Sequence, residues 1–280
     1  MIALSLFKRS ALFQEKFVGK AKDKGWFFGY IAQMPNAAVI IPARLGSTRL
    51  KHKPLALLGG KPMVVRVAEL AQEAEGVSRI IVATDAEEIA VATKKAGFEV
   101  VMTSPDCPSG TDRVAEVAAK IKEQIIVNLQ GDEPMMAVDC ISRSIRLIEQ
   151  GNAPMSSCFS SFRDREQFND PTHVKVILND QMEAIYFSRA LIPYRQLSVH
   201  DADFFGDPCI GRHLGLYAYD RDFLLRFTKL KPVFLEKIES LEQLRALYHG
   251  YKIAMSRVES DAFGINTPEE LEKAQALFIG

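Results

Sequence analysis

The sequence predicts an α/β fold, a Rossmann-like doubly wound mixed sheet, and three observations lead to it. In the first half of the 280-residue chain, apolar segments of strand length alternate with segments of helical periodicity. Such alternation indicates parallel strands joined by right-handed crossovers. The second half contains a predicted hairpin at residues 174–187. An antiparallel element is therefore expected to be inserted into the sheet.

The first predicted strand, residues 37–41, leads into a basic loop. Its five apolar residues are too few to span a membrane and suit a fully buried strand. Pro42 should end the strand, because proline has no N–H to donate to a sheet. The loop that follows combines cations, a glycine and hydroxyl groups: Arg44, Gly46, Ser47, Thr48, Arg49, Lys51, Lys53 and Lys61.

This basic loop is a candidate phosphate site. Ligands of open α/β sheets bind at the carboxyl ends of the strands, where Arg, Lys and backbone N–H groups can hold a polyphosphate. The spacing G-x-x-x-x-G-K-[ST] does not occur, so the loop is not a Walker P-loop. On composition alone, a solvated basic turn is an equal alternative.

The remaining elements follow from hydrophobic periodicity and from capping residues. Helices are predicted over residues 62–75, 86–96, 111–122, 138–148 and 234–248, with another after Thr267. Strands are predicted over residues 79–84, 98–102, 125–129, 174–178, 184–187, 213–219 and 251–258. Residues 195–211 are rich in Asp, Gly and Pro and are expected to form a mobile loop. Residues 267–270, Thr-Pro-Glu-Glu, predict a capping box at the start of the last helix.

Composition and charge exclude several classes of protein. The chain is 48% hydrophobic and 25% charged, which is typical of a globular protein. Its 35 Lys and Arg residues balance 35 Asp and Glu residues, so no nucleic-acid or membrane-surface partner is predicted. No segment approaches the roughly 18 apolar residues of a membrane span. The four cysteines lack C-x-x-C spacing, which argues against disulfides and a zinc site and favours a cytoplasmic location.

Residues 1–36 are interpreted as an N-terminal extension outside a core domain of residues 37–280. The extension is basic and aromatic and contains Trp26, the single tryptophan. It lacks the uninterrupted apolar segment of a secretory signal and matches a transit peptide poorly. An amphipathic helix that docks on a partner or a membrane is the alternative.

Three groups of polar residues are candidates for ligand binding. Asp132 follows a predicted strand at the same edge as the basic loop, where it could hold Mg²⁺ on a triphosphate; a turn residue that caps its own backbone is the alternative. Residues 109–113 place Arg113 in a first helical turn, against the helix dipole, which favours a base- or ribose-binding role over a simple N-cap. Taken singly, residues like those of the third group more often belong to the packed core. Together they could line a pocket for a polar acid: Arg189, His213, Tyr217, Glu242 and Gln243.

Several motifs in one order make the sequence specific. They are IIPARLGSTRL with KPL, IIVATD, MTSPDCPSGTDR, IIVNLQGDEP, YFSRALIP, RHLGLYAY, LEKIESLEQLRAL and GINTPEEL. In order and spacing, over residues 37–277, they resemble the 3-deoxy-manno-octulosonate cytidylyltransferase family of sugar nucleotidyltransferases. The resemblance implies a nucleotidyltransferase fold that transfers CMP from CTP to 3-deoxy-D-manno-octulosonate (Kdo), releases pyrophosphate and serves lipopolysaccharide synthesis.

The resemblance also implies roles for individual residues. Arg44, Ser47, Arg49 and Lys53 would bind the triphosphate, and Ser109, Gly110 and Arg113 would hold cytidine. Gln130, Arg189, His213, Tyr217, Glu242 and Gln243 would position the sugar, and Asp132 would bind Mg²⁺, with Arg44, Lys53 and Asp132 as the catalytic set. Residues 37–160 would be mainly nucleotide-binding. Residues 161–250 would form an inserted antiparallel subdomain for sugar binding and homodimer formation.

The sequence departs from the family pattern in two places. Asn266 stands where the family has a second metal-binding Asp, so metal binding should be weaker or its preference changed; the alternative is that Asn266 merely precedes the capped helix. Lys51 and His52 replace a usual Pro-Gly pair, which leaves Lys53 in place. Two other functions stay open: a cytidylyltransferase for 8-amino-Kdo or a sialic acid, and a weakly active CTP- or sugar-binding protein.

Overall fold

The computed structural model describes residues 36–46, 50–196, 200–260 and 263–278. The predicted phosphate ligands Ser47 and Arg49, and residues 1–35 of the predicted extension, lie outside these ranges. The strands are β1 Ala37–Ala43, β2 Leu57–Leu58, β3 Lys61–Pro62, β4 Val77–Thr84, β5 Glu99–Met102, β6 Ile125–Asn128, β7 Met155–Ser160, β8 Lys175–Leu178, β9 Ala184–Ser188, β10 Ile210–Asp220 and β11 Ile253–Arg257. The helices are α1 Met63–Gln72, α2 Glu87–Lys95, α3 Gly110–Ala118, α4 Val138–Glu149, α5 Arg165–Asn169, α6 Asp201–Gly206, α7 Arg221–Phe227, α8 Phe234–Glu239, α9 Leu244–Tyr248 and α10 Pro268–Phe278.

Within the described residues, nine strands form one mixed sheet, and the predicted α/β fold is confirmed. Seven of them follow the order β11-β7-β10-β6-β1-β4-β5. β1 is parallel to both β4 and β6, whereas β10 is antiparallel to β6 and β7. The predicted hairpin is present as β8 and β9, and β8 pairs with β10. The chain passes from β1 through α1 to β4 on one side, while β6 lies on the other, so a topological switch point lies between β1 and β6.

The alternating side chains of β1 enter two hydrophobic clusters, one on each face of the sheet. Val39 and Ile41 belong to the cluster that includes residues of α1 and α4. Ala38 and Ile40 belong to the cluster that includes residues of α3 and α7. All four β1 residues have no exposed surface. This burial on both faces explains why the strand reads as a continuous apolar run.

The prediction that Pro42 ends β1 is wrong, because the strand continues to Ala43. Pro42 pairs with Ala83 of β4, and Ala43 pairs with Thr84. The carbonyl of Ile40 accepts a hydrogen bond from the N–H of Leu129, so Ile40 faces the β6 side, and Pro42 has the same orientation because strand residues alternate. β6 has ended by this point, so the missing N–H of Pro42 removes no ladder hydrogen bond.

Two predictions for the second half need correction. Residues 195–211 include helix α6 and the start of β10 rather than forming one loop, and residues 197–199 lie outside the described ranges. Phe204 and Phe205 of α6 pack with Phe162 and Phe168, an aromatic cluster that the polar composition of the segment hides. The predicted helix 234–248 is broken into α8 and α9 at Ser240, which has a left-handed φ of 52°.

Two further expectations concern the whole chain. Among the described residues, none of the helices has the length and apolar character needed to cross a membrane. The four cysteines, all within the described ranges, are free thiols, as expected from their spacing. Cys140 and Cys158 are buried between α4 and β7, where the Cys158 thiol donates to the Cys140 carbonyl at 3.4 Å.

Candidate active site

A cavity of about 340 Å³ opens at the carboxyl ends of β1 and β6, at the topological switch point. Eight of the predicted site residues line it: Arg44, Lys53, Ser109, Gly110, Arg113, Gln130, Asp132 and Asn266. Cys107, which has no predicted role, also faces it. The cavity therefore brings together residues from the basic loop, the start of α3, the end of β6 and the segment before α10.

Lys53, Asp132 and Asn266 form a polar cluster in this cavity. The Lys53 ammonium donates to the Asp132 carboxylate and, at 3.0 Å, to Oδ1 of Asn266. The backbone brings the two acceptors together, since the N–H of Ile265 donates to the carbonyl of Asp132 at 2.9 Å. A carboxylate oxygen and an amide oxygen thus converge on one cation.

These two oxygens fit Mg²⁺, a hard cation that prefers oxygen ligands. No group of three or more His, Cys, Asp or Glu side chains in the described part of the chain could hold a metal. Mg²⁺ does not require such a group, because it is usually held by one or two carboxylates together with substrate phosphates and water. Asp132 and Asn266 could therefore contribute two oxygens to a site that substrate phosphates and water complete.

The capping box predicted at Thr267 is present and fixes Asn266. The Glu270 carboxylate accepts from the backbone N–H groups of Asn266 and Thr267 at 2.6 and 3.0 Å, and the Glu270 N–H donates to Oγ1 of Thr267 at 3.3 Å. Asn266 therefore precedes a capped helix and also lines the cavity.

The substitution of His52 for a usual glycine has a structural consequence. His52 adopts a left-handed φ of 51° immediately before the short 3₁₀ turn Lys53–Leu55. A non-glycine residue is strained in this region, whereas glycine adopts it without steric cost. The turn nevertheless directs Lys53 into the cavity.

Ser109 and Arg113 lie at the start of α3. The Ser109 hydroxyl is the N-cap and accepts from the Asp112 N–H at 3.1 Å. The Arg113 guanidinium donates to the hydroxyl of Thr103 and, at 3.0 Å, to the carboxylate of Asp85. Its charge in the first helical turn is thus balanced within the protein, by a carboxylate that the sequence reasoning did not assign to the site.

A chain of hydrogen bonds joins two of the predicted sugar-binding residues, Gln130 and Glu242. Gln130 donates to Asn128 at 2.9 Å, and Asn128 donates to Oγ1 of Thr111 at 3.3 Å. Thr111 in turn donates to the Glu242 carboxylate at 2.5 Å. Asn128 also lies opposite Tyr217 in the β6–β10 pairing. Asn128 and Thr111 lie within motifs that mark the family, but sequence reasoning gave neither a role.

Comparisons with known proteins agree with this geometry. The family profile described as Cytidylyltransferase matches residues 38–253. The chain is 44% identical over 248 residues to the 3-deoxy-manno-octulosonate cytidylyltransferase of Chlorobaculum tepidum, a match that covers 87% of this chain and 97% of the relative. It is 45% identical over 251 residues to the enzyme of the same name from Polynucleobacter necessarius, with 88% and 97% covered.

The chain belongs to the 3-deoxy-manno-octulosonate cytidylyltransferase family. A solved structure of CMP:2-keto-3-deoxy-manno-octonic acid synthetase in complex with CTP is 37% identical and superposes with a TM-score of 0.80. That match covers 87% of this chain and 98% of the other. The nucleotidyltransferase fold predicted from the family motifs is therefore confirmed.

The other residues predicted to position the sugar do not line the 340 Å³ cavity. His213 Nε2 is 3.0 Å from the Ser157 hydroxyl, and its ring packs 5.3 Å from that of Tyr217. Arg189 is held by Glu239, whose carboxylate accepts from its N–H at 2.9 Å and whose carbonyl accepts from its Nε at 2.8 Å. The structure thus does not bring these residues to the cavity that Arg44 and Lys53 line.

Burial shifts the pKa of several groups in and beside the predicted site. It lowers the pKa of His213 to about 3, so the imidazole is neutral at physiological pH. It raises the pKa of Glu242, whereas hydrogen bonding from Thr111 and the charge of Arg245 act in the opposite direction. Burial, together with the neighbouring Asp132, also raises the pKa of Glu133 to about 8. His213 therefore acts as a neutral hydrogen-bonding group and not as a cation.

We expect the neutral state of His213 to appear in the pH dependence of stability. Between pH 6.5 and 3 the unfolded state binds a proton at this residue and the folded state does not, so stability falls as the pH decreases through that interval. In His213→Gln, the decrease in unfolding free energy below pH 6.5 should be shallower by up to about 1.4 kcal/mol per pH unit. Urea unfolding at several pH values measures this slope, with the exposed His249→Gln as the control that keeps the parent slope. An equal dependence of unfolding free energy on pH in His213→Gln and the parent would contradict a neutral His213 in the folded state.

Proposed function

We propose that this protein transfers CMP from CTP to Kdo, giving CMP-Kdo and pyrophosphate. The observation that carries the proposal is the cationic and carboxylate-lined cavity at the switch point, in a chain that matches its family over 97% of the relatives' length. Phosphoryl-type transfer depends mainly on in-line positioning and charge neutralisation, and the cavity offers groups for both.

The phosphates of CTP would be held by Arg44 and Lys53 together with Ser47 and Arg49. The exposed Arg44 and the inward-facing Lys53 support this assignment, because both line the cavity. Cytidine would lie against the start of α3, at Ser109, Gly110 and Arg113. The anomeric hydroxyl oxygen of Kdo would then attack the α-phosphorus, the bond to pyrophosphate would break, and the hydroxyl proton would be released.

Magnesium is the cofactor that we propose, with Asp132 and Asn266 as its protein ligands. When bound, it would neutralise charge on the triphosphate and favour departure of pyrophosphate. Asp132 supplies a negative oxygen and Asn266 a neutral one, so the protein contributes a single charge to the metal. Lys53, which contacts both residues, would turn from them to the phosphates.

The acid sugar would be positioned by Gln130, Arg189, His213, Tyr217, Glu242 and Gln243. Arg189 suits the sugar carboxylate, and the neutral or acceptor groups suit its hydroxyls. The Gln243 side chain supports this role, because its buried Nε2 has no hydrogen-bond partner among the described residues. A buried amide normally has a partner, and a sugar hydroxyl would provide one.

We further propose a cytoplasmic homodimer that serves lipopolysaccharide synthesis. Free cysteines suit a reducing compartment. Large apolar side chains are exposed on β9, α8 and α9: Ile185, Phe234, Ile238 and Tyr248, at 57%, 73%, 66% and 65%. Contact between two copies through this surface would cover them. Light scattering of the purified protein measures the oligomeric state, and a monomer at micromolar concentration would contradict the dimer.

The experiment that tests the function is pyrophosphate release with CTP, Mg²⁺ and a panel of acid sugars. The proposal expects the highest kcat/KM with Kdo. A higher value with 8-amino-Kdo or a sialic acid would favour a cytidylyltransferase for another acid sugar. CTP binding without pyrophosphate release from any sugar would favour the weakly active binding protein, the function that Asn266 makes a specific alternative.

Asn266→Asp tests the metal site directly. The new carboxylate would add a second negative ligand, so the Mg²⁺ concentration for half-maximal rate should decrease about tenfold. The expected rate at saturating Mg²⁺ is within a few-fold of the parent. Titration of Mg²⁺ under saturating CTP and Kdo measures both, and an unchanged requirement would place Asn266 outside the metal site.

A further inference from the structure

A buried ion pair joins α8 to α9. Arg245 of α9 donates to the two carboxylate oxygens of Glu236 in α8, at 2.7 and 2.8 Å. Arg245 is 8% exposed and Glu236 is 9% exposed. A buried pair of this kind contributes little net stability compared with apolar side chains of similar size, because two charges must be removed from water. The geometry that the pair fixes is therefore a better explanation of its presence than stability is.

The pair closes an elbow in the chain, defined as residues 240–243. Ser240 ends α8 with a φ of 52°, and the N–H of Leu241 donates back to the Glu236 carbonyl at 3.0 Å. The two helices on either side are then locked by the two hydrogen bonds between Glu236 and Arg245. Without this break, the periodic sequence would continue as one helix, and Glu242 and Gln243 would lie on its surface in other directions.

The elbow presents two polar side chains to the site. The Glu242 carboxylate accepts from Thr111 at 2.5 Å and from Ser109 at 3.4 Å, both at the start of α3. Gln243, 3% exposed, carries the buried Nε2 without a hydrogen-bond partner among the described residues. Arg245 also contacts Glu242 itself, with Nη2 at 3.4 Å from Oε1. Arg245 of the ion pair thus contacts the elbow through the carboxylate of Glu242.

We propose that Glu236 and Arg245 are positioning residues for the acid sugar, acting through Glu242 and Gln243. The inference rests on the proposed function, since it assigns a role within the sugar side of that site. It predicts a specific kinetic pattern. Loss of the pair displaces groups that contact the sugar, while the cations that face the triphosphate stay in place.

The test is the double variant Glu236→Leu with Arg245→Met, which removes both charges and leaves neither one buried alone. We expect its KM for Kdo to rise about tenfold or more, with kcat and the KM for CTP within about twofold of the parent. Its melting temperature should decrease by no more than a few degrees, because the Val233 N–H loses its Glu236 acceptor at 3.3 Å and Glu242 loses its contact with Arg245. Arg245→Lys, which keeps one charged contact, should give an intermediate KM for Kdo.

The matched control is Arg79→Met with Glu99→Leu, another pair joined by two hydrogen bonds, at 2.7 and 2.8 Å, on strands outside the cavity. It should leave both KM values unchanged. An unchanged KM for Kdo in the folded Glu236/Arg245 double variant would overturn the proposal. Equal rises in both KM values would also overturn it, since they indicate a merely structural pair. Absence of pyrophosphate release by the parent would instead refute the proposed function, and with it this role.

Discussion

Asp132→Asn should lower kcat/KM for pyrophosphate release by at least about 1,000-fold, or ~4 kcal/mol in transition-state stabilisation. Asp132 is the only one of the two proposed metal ligands that is charged, and Asn266 already supplies a neutral amide oxygen. The variant would therefore hold the metal–triphosphate with two amide oxygens and no carboxylate. Lys53 would at the same time lose its anionic partner.

Steady-state rates at increasing Mg²⁺ concentration measure this effect. The expected curve for Asp132→Asn stays far below the parent even at high Mg²⁺, because the missing charge also weakens neutralisation of the leaving group. Asp139→Asn removes an exposed carboxylate in α4 and should behave as the parent. If Asp132→Asn retained a tenth or more of parental kcat/KM, Asp132 would be a turn residue and not a metal ligand.

Lys53→Met should lower kcat/KM for CTP by about 100- to 1,000-fold. Methionine keeps much of the length of the side chain and removes the ammonium, so the change isolates the charge. Lys53 has only 13% of its side chain exposed and projects toward Asp132, where a triphosphate would place its negative oxygens. A charge in such a confined site is worth more than one in water.

The control for Lys53 is a lysine of the same basic segment that lies outside the cavity. Lys61 has 51% of its side chain exposed and pairs with Glu69 at 2.5 Å. Lys61→Met should therefore leave kcat/KM for CTP within about twofold of the parent, since exposed pairs contribute little. Similar losses in the two variants would show that the basic loop acts through its general charge and that Lys53 has no specific contact.

The first half of the fold could be predicted from the sequence because local signals and tertiary structure agree there. Strands such as β1 and β6 are buried on both faces and read as apolar runs, and the glycine after α2 adopts a φ of 86° as a helix-ending residue should. Pro42 was misassigned because the effect of a proline depends on which neighbour its nitrogen faces. That orientation is known only once the strand order is known.

The second half was harder to predict because contacts between elements override local periodicity. The apolar spacing of residues 234–248 suits one helix, yet the backbone turns at Ser240 and the Glu236–Arg245 pair joins the two helices that result. Helix α6 forms in a polar segment because Phe204 and Phe205 find aromatic partners far away in the sequence. Glu236 and Arg245 are nine residues apart, more than the i,i+4 spacing of neighbours on one helix, and the partners of Phe204 and Phe205 lie much farther away in sequence. Helical periodicity therefore reveals neither set of contacts.

The candidate site was predictable to the extent that motifs mark it. The residues predicted for the phosphates and the metal that fall in the described ranges do line one cavity: Arg44, Lys53, Asp132 and Asn266. The connecting residues Asn128 and Thr111, and the Asp85 partner of Arg113, were not assigned in advance. Their contacts depend on how the start of α3 packs against the ends of β4 and β6, which sequence spacing does not specify.

The most direct test of the account follows the α-phosphorus of CTP. The protein is incubated with CTP labelled at that phosphorus, Kdo and Mg²⁺, and the products are separated and counted. The account predicts that the label appears in CMP-Kdo in a one-to-one ratio with released pyrophosphate, and only when Kdo is present. Label that stays in CTP, or that leaves as free CMP whether or not Kdo is added, would contradict a Kdo cytidylyltransferase.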